Sequence, residues 1–218
     1  MFDIFTTEGL ISFLYSLPAL LISLSVHEFF HAYTAYKLGD ISQKLRGRLT
    51  FDPFSHIDLF GFISIALFGF GWGKPVIVDD SKFKNRRRDN MLVSIAGPLS
   101  NLVLAIIFTL IFKIMYETNL FTLYDLNPQV GDSIFTMMYI AISFNIIFAI
   151  FNMIPIPPFD GARLLFYILP PKYEKVMFKI SQYSFFIIIF LFVTGLGTKI
   201  ITPIYNLLMG MISIFILL

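Results

Sequence analysis

Long apolar runs alternate with short polar segments along this chain. Three runs, at positions 10–36, 91–115 and 134–154, are long enough to cross a bilayer, since about 20 helical residues span its hydrocarbon core. A fourth run, at 183–218, is interrupted by glycine, lysine and proline, which fits either one kinked span or two short spans. The pattern predicts an all-α integral membrane protein, a polytopic bundle of about four to five transmembrane helices.

A shorter apolar segment, at 61–73, follows the first predicted span. It contains four glycines and is too short to cross a bilayer as a helix. Irregular backbone at membrane depth is tolerated where it packs against protein or lines a wet cavity. We therefore expect a short re-entrant or β-like segment after the first helix.

Composition agrees with a membrane protein. Of 218 residues, 57% are hydrophobic and only 14% are charged, and the mean hydropathy is +0.80. The acidic N-terminus does not resemble a secretory signal, so we expect the first helix to be retained. The chain has no cysteine, which excludes disulfides and thiolate metal sites, and its net charge of +2 gives no argument for nucleic-acid binding. We expect one membrane-embedded domain over 1–218, with a core at about 10–170 and a C-terminal helical segment at about 180–218.

The basic residues predict the orientation in the membrane. Lysine and arginine concentrate at 37–50, 74–90 and 171–179, whereas acidic residues occupy the N-terminus and the loop at 116–132. The positive-inside rule then places the basic segments in the cytoplasm and 116–132 outside. The predicted location is the cell membrane, as a multi-pass protein, and we expect this to be a prokaryotic plasma membrane.

The sequence HEFFH at 27–31 lies inside the first predicted span. HExxH on a helix places two imidazoles one turn apart on one face with a carboxylate between them, as in zinc peptidases. Ionisable groups in hydrocarbon cost several kcal/mol each, so this motif needs a compensating partner, and a metal is the obvious one. His31 precedes Lys37 by six residues, which puts the motif about 9 Å from the predicted cytoplasmic end of the helix.

Two histidines leave a catalytic zinc one protein ligand short. Asp160, in the segment NMIPIPPFDG at 152–161, is the best candidate for the third. The prolines cannot continue the preceding helix and force an extended path, at the end of which a carboxylate is well placed to turn toward a metal. The alternative is that the prolines simply end a span and that Asp160 is a solvated helix cap.

Four segments together resemble the site-2 protease family of intramembrane zinc metalloproteases: HEFFHA at 27–32, GWGKPV at 71–76, AGPLSN at 96–101 and NMIPIPPFDG at 152–161. They match that family's characteristic segments in the same order. The resemblance implies that His27, His31 and Asp160 bind one Zn²⁺, that Glu28 is the catalytic acid/base and that Asn152 positions the scissile carbonyl or its oxyanion. The accessory PDZ and CBS domains of the family are absent from this sequence. Phe159 and Asp52 depart slightly from the family pattern.

The predicted reaction is hydrolysis of peptide bonds in or next to transmembrane segments of membrane-protein substrates, with the segment at 61–73 offering an edge for an extended substrate. The alternatives are a membrane metal-ion transporter and a non-catalytic scaffold that binds membrane helices. A transporter predicts coordinating residues spread along the membrane depth, whereas only three histidines occur and two of them lie in HEFFH. His56 is a candidate substrate contact or a structural residue, and Asn101 is expected to serve in interhelical packing.

Overall fold

The computed structural model describes residues 5–68, 71–118 and 128–217. The regular secondary structure of these residues is helical, with no β-strand among them and one isolated antiparallel bridge between Ile57 and Gly73. The all-α prediction is confirmed. The α-helices in chain order are α1 (Thr7–Lys37), α2 (Ser42–Leu45), α3 (Leu59–Phe68), α4 (Arg86–Glu117), α5 (Pro128–Asn152), α6 (Asp160–Ile168), α7 (Glu174–Val193) and α8 (Leu196–Leu217).

Helices α1, α4 and α5 are each long and apolar enough to cross a membrane, as predicted from the three apolar runs. The C-terminal run forms two helices, α7 and α8, which are bent by 79° at the break between them. Gly195 lies at this break with φ of +69°, a left-handed conformation that glycine adopts without steric cost. The bent pair counts as a fourth candidate span, at the lower end of the expected four to five.

The three long helices pack together as the core. Helix α4 runs antiparallel to α1, because His31 contacts Val93 while His27, one turn earlier, contacts Asn101. Helix α5 runs parallel to α1. The Tyr15 and Ser133 hydroxyls lie 2.8 Å apart near the N-terminal ends of these two helices. The middle of α1 is therefore enclosed by α4 and α5.

The segment between α1 and α4 leaves and returns at the same end of α1. Near Lys37, the backbone N–H of Asp79 donates to the carboxylate of Asp40 at 2.9 Å. Between these points the chain extends back along α1, where the rings of Phe62 and Phe13 lie 6.3 Å apart. The predicted re-entrant segment is thus present.

Only part of the segment at 61–73 is extended. Its first residues form α3, and the β-like part is confined to the bridge at Gly73 and a hydrogen bond from the Lys74 N–H to the His56 carbonyl at 2.8 Å. A Cβ on Gly73 would lie 2.7 Å from Cδ1 of Leu24, so glycine allows this backbone to approach α1 closely. A substrate edge along the whole of 61–73 is incompatible with the helix.

A proline-rich turn joins α5 to α6. Helix α6 begins at Asp160, and Gly161 follows it where a Cβ would clash with the carbonyl of Met153. At the other end of α6, the Arg87 guanidinium donates to the carbonyl oxygens of Tyr167 and Ile168. Arg87 stabilises the C-terminal end of α6 because a cation there satisfies otherwise unpaired carbonyls.

Candidate metal centre

His27, His31 and Asp160 meet at the core of the bundle. Asp160 Oδ2 lies 3.1 Å from Nε2 of His27 and 3.0 Å from Nε2 of His31, and the two nitrogens are 3.0 Å apart. The two histidines share one face of α1 because they are four residues apart, and Asp160 arrives as the first residue of α6. All three side chains are buried. Among the described residues, these three side chains form the one group of His, Asp or Glu whose ligand atoms lie close enough together to hold a metal ion.

The outward nitrogens of both rings have hydrogen-bond acceptors. Nδ1–H of His27 donates to Asn101 Oδ1 at 2.7 Å, and Nδ1–H of His31 donates to the carbonyl of Val93 at 2.7 Å. A hydrogen on Nδ1 leaves the lone pair on Nε2, the nitrogen that faces Asp160. Both rings are thus held in the tautomer and orientation that metal ligation requires.

Gly97 leaves open space beside these ligand atoms. A Cβ built at this position would lie 2.7 Å from Nε2 and 2.6 Å from Cε1 of His27, and closer still to Nε2 of His31. Any other residue would place its Cβ within 2.7 Å of ring atoms of both histidines. Two imidazole nitrogens, one carboxylate oxygen and this space fit a zinc ion, which prefers such ligands.

Glu28 lies next to the ligand group but does not join it. Its Oε2 accepts a hydrogen bond from the Val76 N–H at 3.2 Å and lies 4.0 Å from Nη2 of Arg48. The Glu28 side chain is 12% exposed and that of Arg48 is 8% exposed. An ion pair so shielded from water is stronger than a surface pair. Glu28 therefore has a fixed position beside the candidate centre.

Arg48 also joins the two legs of the re-entrant segment, one before α3 and one after it. Its guanidinium donates to the carbonyl oxygens of Ser55 and Lys74, one on each leg, and we call this pair of contacts the clamp. Burial lowers the pKa of Arg48, and the negative charge of Glu28 opposes that effect. The planar guanidinium fits a position that must hold two carbonyls at once.

His56 is fully buried beside this clamp but lies outside the ligand group. Its Nε2–H donates to the carbonyl of Thr50 at 2.7 Å, and its Nδ1 has no hydrogen-bond partner among the described residues. Burial lowers the pKa of His56. These contacts match the expectation of a structural residue.

Asn152, the predicted carbonyl-positioning residue, lies at the end of α5. Its Nδ2 donates to the carbonyl of Phe148 at 3.0 Å, one turn earlier in the same helix. The Nδ2 carries a second hydrogen that this bond does not use, and this hydrogen can be donated to another carbonyl. Its role in positioning the substrate stays a prediction.

Three contributors to the site were not predicted from the sequence: the contact of Asn101 with His27, the space at Gly97, and Arg48. Asn101 joins helices as expected, through Ser23 and Asn145, but it also binds His27. Gly97 and Asn101 are one helical turn apart in AGPLSN, and this spacing could have indicated that both face the histidines. Arg48 had no such signal, because it is one of several basic residues in its loop.

Comparison with known proteins identifies similar sequences over most of the chain. The profile described as Peptidase family M50 matches residues 15–195. A Bacillus subtilis protein named "Putative zinc metalloprotease YwhC" is 39% identical over 88% of this chain and 86% of its own length. No solved structure gives a significant match.

Two further relatives are less similar to this chain. "Putative zinc metalloprotease Rip2" of Mycolicibacterium smegmatis is 30% identical over 80% of this chain, which spans 64% of that relative. "Putative zinc metalloprotease MJ0611" of Methanocaldococcus jannaschii is 28% identical over 72% of each chain.

Proposed function

Because the chain belongs to peptidase family M50, the site-2 protease family, we propose that His27, His31 and Asp160 bind its catalytic zinc and that Glu28 is its acid/base. The chain is a multi-pass membrane metallopeptidase that uses Zn²⁺. The observation that carries the residue assignment is the convergence of two Nε2 atoms and one carboxylate oxygen within 3.1 Å of one another.

Glu28 supplies the proton transfers of the reaction. A zinc ion held by His27, His31 and Asp160 would lower the pKa of its bound water toward 7 and polarise the carbonyl to be cleaved. Glu28 takes the proton of the attacking water and gives it to the leaving amine. The Val76 N–H and Arg48 hold the Glu28 carboxylate at a fixed distance from the ligands, so less reorganisation accompanies each transfer.

The substrates are membrane proteins, and we propose that cleavage occurs in or next to their transmembrane segments. Peptide bonds inside a helix are shielded by its hydrogen bonds, so the substrate must unwind locally. The non-helical backbone from Gly73 to Val76 passes Glu28, since the Val76 N–H donates to the Glu28 carboxylate. A substrate paired with this short stretch as an added strand would present its backbone to the catalytic carboxylate.

We propose that the active site lies toward the cytoplasmic side. Both legs of the re-entrant segment return to the Lys37 end of α1, and α4 begins at this end with Arg86, Arg87 and Arg88. Such a concentration of positive charge is typical of cytoplasmic loops. A water path from this face to Glu28 is therefore short.

The transporter alternative is not favoured. It predicts a series of ligand groups along the membrane depth, whereas the described residues contain the single His27, His31 and Asp160 group. An inert scaffold would not need a carboxylate held beside that group.

Zinc analysis combined with proteolysis tests the proposal. We expect the purified protein in detergent to contain about one zinc per chain. Reconstituted in vesicles with a membrane-protein substrate, it should cleave that substrate, and a zinc chelator should stop cleavage until zinc is restored. Proteolysis that persists after complete removal of zinc would contradict the proposed mechanism.

A further inference from the structure

Two buried asparagines connect His27 to all three core helices. Asn101 on α4 accepts a hydrogen bond from His27 on α1, and its amide nitrogen donates to Asn145 on α5 at 2.9 Å and to the carbonyl of Ser23 at 3.1 Å. Asn145 in turn donates to the carbonyl of Ala141 at 2.9 Å. We propose that Asn101 and Asn145 form an amide relay that positions His27 as a zinc ligand. The inference rests on the proposed zinc site.

The relay has one direction. Nε2 of His27 faces the other ligands, so its Nδ1 carries the hydrogen and must meet an acceptor. This requirement points the oxygen of Asn101 at the ring and its nitrogen away from it. Asn145 must then present its oxygen to that nitrogen, and its own nitrogen returns to α5. A flip of either amide would oppose two donors or two acceptors.

Burial makes these orientations hard to change. Asn101 and Asn145 are both 0% exposed and lie within helices that are apolar enough to span a membrane. An amide left without a hydrogen bond in such apolar surroundings is destabilising, because water does not replace the lost partner. Apolar side chains would join the helices without this risk. The hydrogen bonds from Asn145 through Asn101 end on Nδ1 of His27. Fixing the orientation of this ring matters because His27 is a proposed metal ligand.

The two positions should differ in their effects. Without the Asn101 side chain, Nδ1 of His27 has no acceptor, and the ring can rotate or change tautomer. We expect Asn101→Ala to lower zinc affinity by roughly 10–100-fold, as for other groups that orient metal ligands. Asn145→Ala should have a smaller effect of the same sign, since the carbonyl of Ser23 still holds Asn101.

The test measures zinc affinity of the full-length protein in detergent by competition with a chromophoric chelator. The visible spectrum of the Co²⁺-loaded protein reports ligand geometry independently of proteolysis. Asn90→Ala is the matched control, because Asn90 is a 2% exposed asparagine on the same helix whose amide donates to the carbonyl of Arg86. We expect altered affinity and spectrum in the relay variants and neither in the control.

Asn101→Asp separates positioning of His27 from general stabilisation. The carboxylate still accepts from His27 but cannot donate to Ser23 or Asn145. The metal-free variant should unfold at a lower temperature than the wild type, while its zinc affinity and Co²⁺ spectrum stay closer to wild type than those of Asn101→Ala. Zinc loss that merely follows thermal stability across the variants would overturn the positioning role.

The outcomes separate the relay from the site itself. A wild-type protein that binds no zinc refutes the proposed function. A wild type that binds zinc, with Asn101→Ala equal to Asn90→Ala in affinity, refutes the relay alone. Equality between Asn145→Ala and Asn90→Ala would also overturn it, because the relay requires an effect from α5.

Discussion

Asp160 follows His27 by 133 positions in the chain, and its Oδ2 lies 3.1 Å from Nε2 of that histidine. Because Asp160 is the one anionic member of the ligand group, Asp160→Ala should lower zinc affinity by more than the roughly 10–100-fold typical of residues that only orient ligands. Zinc content and chelator competition measure this loss. X-ray absorption of zinc bound to Asp160→Ala is the further check. Zinc retained by this variant with three nitrogen ligands, the third supplied by His56, would contradict the assignment of Asp160.

Glu28→Gln should separate the chemistry from metal binding. The amide preserves the size of the side chain but cannot accept the proton of the attacking water. We expect zinc content to stay at the wild-type level and cleavage to fall by at least about 100-fold, the lower range for loss of a general base. Substrate cleavage and zinc are measured on the same preparation. Cleavage at a near wild-type rate would show that another group carries the proton.

Gly97→Ala should prevent zinc binding without replacing a ligand. The added methyl group would occupy the space beside Nε2 of both histidines. Gly210→Ala on α8 is the matched control, since a Cβ there meets no atom within 4 Å. Alanine is about 1 kcal/mol more favourable than glycine inside a helix, so the control should bind zinc and be at least as stable as wild type. Normal zinc affinity in Gly97→Ala would remove the steric argument for the site.

Arg48→Lys should lower cleavage while leaving zinc bound. Lysine keeps the positive charge but lacks the planar fork that reaches the carbonyls of Ser55 and Lys74 together. A lost charge-assisted hydrogen bond is worth about 1.5–3 kcal/mol, so we expect turnover to fall by about 10-fold or more. Arg46→Lys is the control, because Arg46 is exposed and its side chain donates only to the carbonyl of Ile77 among the described hydrogen bonds. Equal turnover in the two variants would argue against the clamp.

Cysteine labelling tests the orientation in the membrane. The chain has no native cysteine, and Ser81 and Thr118 are exposed at opposite ends of α4. In intact cells a membrane-impermeant thiol reagent should label Thr118→Cys, whereas Ser81→Cys should react only after the cells are opened. The reverse pattern would place the active site toward the outer face. Most of the loop at 116–132, residues 119–127, lies outside the described residues.

The features that could be predicted from the sequence are those that depend on residue spacing along the chain. Apolar runs located the three core helices, and the i, i+4 spacing of HEFFH placed both histidines on one face. The structure differs where distant segments meet. Residues 61–68 are helical, although glycines and a length too short for a crossing suggested an irregular path. The contact of Arg48 with Glu28 depends on how a loop folds back over α1, which residue spacing does not encode.

Helix α4 contacts both histidines and the helix of Asp160 from one face. Arg87 holds the far end of the helix that carries Asp160, Val93 and Asn101 hold the two rings, and Gly97 provides the space between them. One inserted residue turns the rest of a helix by about 100°. An insertion between Arg87 and Asn101 would move these partners apart while leaving every ligand in the sequence. The proposed metal centre therefore constrains the length of this stretch as well as the identity of its residues.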